Sequence, residues 1–275
     1  MFGMKESRFG TIALFRLMAA LGCLFPCWLY GEQEVDIYVD DSYYPYSFSQ
    51  DGKAKGLYIN VLNAVFSKMP DFKVTLTPFP WSRGKSMMEQ GRGFALFPAY
   101  FHGHDWPYLY PYSLPIYTET VLAVCREGVK KDRDSRWPQD FENKSIGNVT
   151  GFDGWGGKLF HEMVKNKKIQ YFETQESRNL IKMFFKRRLD CILMERRAFD
   201  FELNKLLITG ELNPEDLIAY DKHTVVGVDA VYIGYSEPAL KSGKYPYEYA
   251  FRKQFDIVLY EMTKSGEIDR IMGSF

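Results

Sequence analysis

Apolar positions recur with two different periods along the chain. In 35–40, VDIYVD, every second residue is aliphatic, the repeat of a strand with one buried face. In 56–69, GLYINVLNAVFSKM, residues Leu57, Val61, Leu62, Val65 and Phe66 fall on one face of a helix. A second strand signal follows at 73–79, a short helix at 82–91 closed by Gly91, and a third strand at 94–99. Strand, helix, strand, helix, strand predicts a parallel α/β sheet. The pattern repeats at 144–151, 156–167, 168–174, 176–189 and 190–199. Between the two units stands a β-rich segment, 118–129, and after the second comes another, 223–238. The tail, 247–275, is helical, with Phe251, Phe255, Val258, Leu259 and Met262 on one face and Gly266 ending its longer helix. Two α/β units joined by two β-rich segments predict two lobes, two crossing strands that form a hinge, and a cleft suited to a small ligand.

The N-terminus departs from this pattern. Lys5, Arg8 and Arg16 precede the apolar stretch 17–29, which fits the core of a secretory signal and falls short of the ~20 residues of a spanning helix. The reading is a signal peptide over 1–31 and a periplasmic protein, with a retained anchor or lipid attachment at Cys23 as alternatives. The expected organisation is then lobe 1 from 32–122, lobe 2 from 123–225, and a return to lobe 1 over 226–275. The 275 residues are 46% hydrophobic and 25% charged, with a net charge of zero. This balance excludes disorder, and both signs are spread along the chain, which excludes a phosphate-neutralising nucleic-acid surface. Without 1–31, only Cys125 and Cys191 remain, open to one disulfide or to two buried thiols.

Candidate site residues cluster where strands end. Tyr100, Phe101 and Trp106 follow the third strand, at the end of an open α/β sheet where ligands sit. Tyr43 and Tyr46 follow the first strand and offer a facing wall; such walls suit a flat, apolar or cationic group. Asp40 and Asp41 add negative charge there, or merely form a turn. Tyr108, Tyr110 and Tyr112 alternate and read as packing. In 80–84, PWSRG, Arg83 presents a planar fork suited to a carboxylate or phosphate and Trp81 a ring to cover an apolar part, the alternative being a surface ion pair. The Gly-rich turn 147–160 precedes a helix, so Thr150, Gly151 and Asp153 to Trp155 are candidates for holding an anion. Its spacing fits neither a P-loop nor a dinucleotide motif. Glu195 ends a strand as a cation anchor, or pairs with Arg196 or Arg197. His102, His104 and Asp105 lack a second ligand cluster, so neither a metal nor any other cofactor is expected.

The succession DDSYYPYSF, GLYINVLNAVF, DFKVTLTPFPWSRGKSMMEQG, YSLPIY, KSIGNVTGFDG, LDCILMERRAF and FDIVLYEMTKSGEIDRIMGSF resembles the extracytoplasmic solute-binding proteins of family 3, the binding subunits of polar amino acid ABC importers. The likeness implies a type II periplasmic binding fold and closure around a solute, as a monomer that binds and does not catalyse, with the importer's membrane permease as partner. It also implies an acid at Glu195 that pairs a ligand ammonium. A Thr and an Arg that clamp a ligand carboxylate are expected where this chain has Gly103 and Trp106, and an acid where it has Phe94. The standard clamp is therefore missing. A small polar solute, cationic or zwitterionic and with amino-acid-like molecules included, is the expected ligand. An orphan sensor and a dehydratase-like enzyme on the same fold are the alternatives.

Overall fold

The computed structural model describes residues 32–103, 105–129, 135–152 and 155–273. The signal expected over 1–31, as well as His104 and Asp153, lies outside the described residues. The chain opens with β1 (Gln33–Asp40), followed by three short strands, β2 (Ser42–Tyr43), β3 (Ser47–Gln50) and β4 (Lys53–Lys55). Then come α1 (Leu57–Phe66), β5 (Phe72–Phe79), α2 (Trp81–Glu89), β6 (Ala95–Tyr100), β7 (Leu109–Tyr112) and the long β8 (Tyr117–Arg126). The second unit is β9 (Ser145–Val149), α3 (Gly157–Lys165), β10 (Gln170–Thr174), α4 (Ser177–Phe185), β11 (Cys191–Glu195) and α5 (Arg196–Ile208). The chain returns through β12 (Tyr220–Ser236) to α6 (Glu237–Lys241), α7 (Glu248–Lys264) and α8 (Glu267–Met272).

Each half follows from its apolar pattern. Val35, Ile37 and Val39 alternate into the core from β1, which pairs in parallel with β5 from Gln33–Phe72 to Asp40–Phe79 and with β6 from Ile37–Ala95 to Val39–Phe97. Leu57, Tyr58, Val61, Leu62 and Val65 bury the inner face of α1. The turn into that helix requires glycine: Gly56 has φ 121°, and a Cβ there would sit 2.3 Å from the Tyr46 carbonyl oxygen. In the second half, β9 and β10 are parallel, and Leu180, Ile181 and Phe184 of α4 pack with Ile192 and Met194 of β11.

One sheet joins the halves, in the order β10-β9-β11-β8-β12-β6-β1-β5, with β7 also on β12. The two strands common to both are β8 and β12, antiparallel from Tyr220–Arg126 to Val231–Tyr117. β12 continues into the first half against β6, while β8 runs into the second against β11. These strands are the crossover predicted from 118–129 and 223–238. The tail folds back on the first half: Phe251 of α7 meets Phe66 at 6.1 Å, Phe72 at 5.1 Å and Phe94 at 5.4 Å between ring centres. Phe94, where the family resemblance led us to expect an acid, belongs to this ring-packed core together with Tyr235 and Tyr245.

Cys125 and Cys191 lie opposite one another in the β8–β11 register and form a disulfide, with Cα atoms 4.0 Å apart. Among the described residues no helix is long and apolar enough to cross a membrane.

Candidate functional site

Where β1 and β6 end, a pocket opens toward the turn after β9. Asp40, Tyr43, Trp81, Pro98, Tyr100, Trp106, Phe152 and Trp155 line it, around about 360 Å³ of space that is partly open to solvent. The rings form a continuous wall. Phe152 meets Tyr43 at 5.5 Å and Trp81 at 6.4 Å, edge to face in both cases, and Trp155 at 5.0 Å. Trp81 in turn meets Trp106 at 6.1 Å, and Trp155 meets Tyr100 at 6.4 Å.

Trp81 and Lys85, from the first turns of α2, reach the second half. The Trp81 indole N–H and the Lys85 ammonium both donate to the Gly151 carbonyl oxygen, each at 3.0 Å. Gly151 has φ +85°, and a Cβ there would lie 3.3 Å from the Trp81 ring, so the close approach is built on glycine. The Lys85 ammonium also lies 4.7 Å from the Trp106 ring centre.

Beneath the pocket lies Glu119 of β8, 1% exposed. Its Oε2 accepts hydrogen bonds from the hydroxyls of Tyr43 (2.6 Å) and Tyr100, and its Oε1 from Tyr58. Tyr43 and Tyr100 thus turn their polar ends toward Glu119 and present ring surface to the pocket. Burial, reinforced by the charge of Glu195, pushes the Glu119 carboxyl up to about 8. The sequence reading missed this residue, since a single Glu in a β-rich run carries no signal until three tyrosines from distant segments converge on it.

Asp40 is the one carboxylate among the described lining residues, and it is 1% exposed. Its Oδ1 accepts from the Ser42 backbone N–H at 2.9 Å and the Ser42 hydroxyl at 3.3 Å. Its Oδ2 accepts no hydrogen bond among the described residues. Burial pushes this carboxyl up to about 7, and the neighbouring charge of Asp41 adds to the rise.

Of the residues singled out in the sequence, Tyr43, Trp81, Tyr100, Trp106 and Trp155 come together in the pocket. The others do not. Arg83 is exposed, its guanidinium carbon 4.9 Å from the Phe79 ring centre. Two positions along α2 rotate a side chain by about 200°, so the turn that aims Trp81 inward aims Arg83 out. Phe101 is 58% exposed and leans on Tyr112 at 5.0 Å, one residue beyond the strand whose pleat would have directed it. Tyr46 is buried behind the pocket, stacked on Tyr58 at 4.5 Å and donating to Glu195 at 2.9 Å. The Glu195 Oε2 also accepts from the Ala198 N–H at 2.8 Å, so this carboxylate caps α5 and does not line the pocket. Thr150 continues the parallel β9–β10 pairing by one residue, its N–H donating to the Thr174 carbonyl at 2.8 Å. The Gly151 carbonyl oxygen is the acceptor of the Trp81 and Lys85 bonds. Phe152 is the wall residue that the sequence reading passed over. Among the described residues no group of three His, Cys, Asp or Glu side chains converges as a metal site would require.

The profile of the bacterial extracellular solute-binding proteins, family 3, matches residues 35–275, and the chain belongs to that family. It is similar in structure to an ancestral arginine-binding protein bound to arginine, at 14% identity and TM-score 0.64, covering 87% of this chain and 96% of that one. A histidine kinase sensor domain with similarity to periplasmic binding proteins is similar at 14% identity and TM-score 0.65, over 88% and 95% of the two chains. An ancestral amino acid-binding protein, a precursor of cyclohexadienyl dehydratase, is similar at 13% identity and TM-score 0.62, over 94% and 96%. These likenesses establish the two-lobed type II periplasmic binding fold. No curated protein sequence matches the chain.

Proposed function

We propose that this protein captures a small cationic or zwitterionic solute in the ring-walled pocket between its lobes, in the periplasm, and delivers it as a monomer to the permease of an ABC importer. The lobes divide near 122–123 and 225–226, within the two crossing strands, and residues 1–31 act as the export signal. The observation that carries the reading is the pocket itself: four aromatic residues from the first half and its loops, two from the second, Phe152 and Trp155, and one buried carboxylate, Asp40. Ring faces and a carboxylate attract a cation and exclude bulk water.

Thermal unfolding in the presence of amino acids, polyamines, quaternary amines and organic acids tests this. A ligand at 100 times its Kd stabilises the native state by about 2.7 kcal/mol. Cationic or zwitterionic members should raise Tm, and the bound solute should be recovered unchanged. Stabilisation by anions alone would contradict the reading, and chemical conversion of the solute would point to an enzyme. Import into vesicles carrying the candidate permease separates delivery from sensing.

Trp81→Phe keeps a ring in the wall and removes the donor to Gly151. Its expected effect is a loss of about 1 kcal/mol of ligand-induced stabilisation, the worth of one hydrogen bond between the lobes. An unchanged thermal shift would show that this bond plays no part in closure.

A further inference from the structure

The pocket's chemistry narrows the ligand beyond a charge sign, on the basis of the binding reading above. Three observations bear on it. First, most of the acceptors around the pocket are already engaged. The Tyr43 and Tyr100 hydroxyls donate to Glu119, and the Gly151 carbonyl accepts from both Trp81 and Lys85. Among the described lining side chains, the carboxylate oxygen left without a hydrogen bond is Asp40 Oδ2. A guanidinium brings five N–H donors and a primary ammonium three, and each one buried without an acceptor is costly.

Second, nothing in the lining holds a ligand carboxylate. The described pocket-lining residues include no Arg or Lys. Arg83 points away, and the Lys85 ammonium is committed to Gly151 and the Trp106 ring. The Asp40 charge would repel an anion placed beside it.

Third, the walls themselves are rings on several sides: Tyr43, Trp81, Tyr100, Trp106, Phe152 and Trp155. Ring faces bind a cation without needing an N–H from it, and the attraction is strongest for tryptophan.

We infer that the pocket takes a quaternary or fully methylated ammonium monocation that carries no carboxylate, its head enclosed by the rings and its charge met by Asp40. Such a head has no N–H donors to satisfy, so the scarcity of acceptors costs it nothing. Its methyl groups bury against ring carbon, and its charge is met by Asp40, the one carboxylate among the described lining residues.

The test is a titration of the full chain by tryptophan fluorescence and calorimetry, with tetramethylammonium and choline as probes. 3,3-Dimethylbutan-1-ol serves as the neutral isostere, and arginine as the N–H-rich cation with a carboxylate. Choline should bind at least about tenfold more tightly than either comparator. Asp40→Asn and Trp155→Ala should each weaken choline binding about tenfold or more, while Arg83→Ala leaves it unchanged. Equal binding of the neutral isostere would overturn the cation assignment, and failure of both probes to bind with Kd below about 10 mM would overturn the class. Loss of binding in Arg83→Ala would show that an anionic group is held, which also overturns it. Tight binding of arginine without choline would sink this inference and leave solute binding standing. If no member of the wider solute panel bound either, the binding reading itself would fail.

Discussion

Glu119→Ala is expected to destabilise the protein by about 3–5 kcal/mol, because it removes the common acceptor of three buried tyrosine hydroxyls and leaves a cavity among them. For a chain of this size that is a fall in Tm of roughly 10 °C. Tyr43, Tyr58 and Tyr100 come from the segment after β1, from α1 and from the end of β6, and Glu119 comes from β8. The cluster therefore ties three elements of the first half to the strand that leaves it. Tyr58→Phe removes one donor and leaves the acceptor, so about 1 kcal/mol is expected from it. Denaturant unfolding of the two variants checks both values, and a Glu119→Ala protein within 1 kcal/mol of the parent would refute the anchoring role.

The same residue sets a pH dependence. Its carboxyl rises from 4.5 to about 8 in the native state, first because of burial and then because of Glu195. Across that interval the native protein keeps a proton that the unfolded chain has released. The stability contributed by Glu119 is therefore fully present below about pH 4.5 and is lost as pH climbs through about 8. Glu119→Gln cannot titrate and still accepts from tyrosine, so its stability should fall less steeply between pH 5 and 8. Parallel slopes for the two proteins would place the titration elsewhere.

The second large effect concerns the disulfide. Cys125 and Cys191 are 66 residues apart in sequence and directly opposite in the β8–β11 register. Closing a loop of that length restricts the unfolded chain by about 4 kcal/mol. Reduction, or the double variant Cys125→Ala with Cys191→Ala, should therefore lower stability by about 2–5 kcal/mol. Urea unfolding with and without a thiol reductant measures it; coincident midpoints would mean that the bond does not form in solution. Both strands adjoin the hinge, so the bond holds the second half together where the crossing strands enter it.

Much of the architecture was readable from the chain because it depends on local periodicity. The alternation of Val35, Ile37 and Val39 and the helical spacing of Leu57, Val61, Leu62 and Val65 report which face is buried, whatever the partner turns out to be. The repeated strand–helix order and the two β-rich joins then restrict how the sheet can be assembled. The short strands β2 to β4 escaped notice because two to four residues are too few to show a period.

The site was less legible, and the reason is directional. Sequence placed Tyr43, Trp81, Tyr100, Trp106 and Trp155 near strand or helix ends, which is enough to bring them to the cleft side of the sheet. It could not say which way each side chain turns within its element. Arg83 and Phe101 show the consequence: one or two positions of helix rotation or pleat separate the pocket from the surface. Hydrogen-bond commitments are also invisible before the chain folds, so Glu195 looked available to a ligand although it caps α5 and accepts from Tyr46. The sequence by itself determined the two α/β halves, the crossing strands and the abundance of rings at the cleft, because these follow from local periodicity and composition. Only the tertiary structure decided that Glu119 would be enclosed by three tyrosines and that Asp40 would face the pocket with an oxygen to spare, because those outcomes depend on contacts between segments 19 to 76 residues apart and on which polar groups they satisfy first.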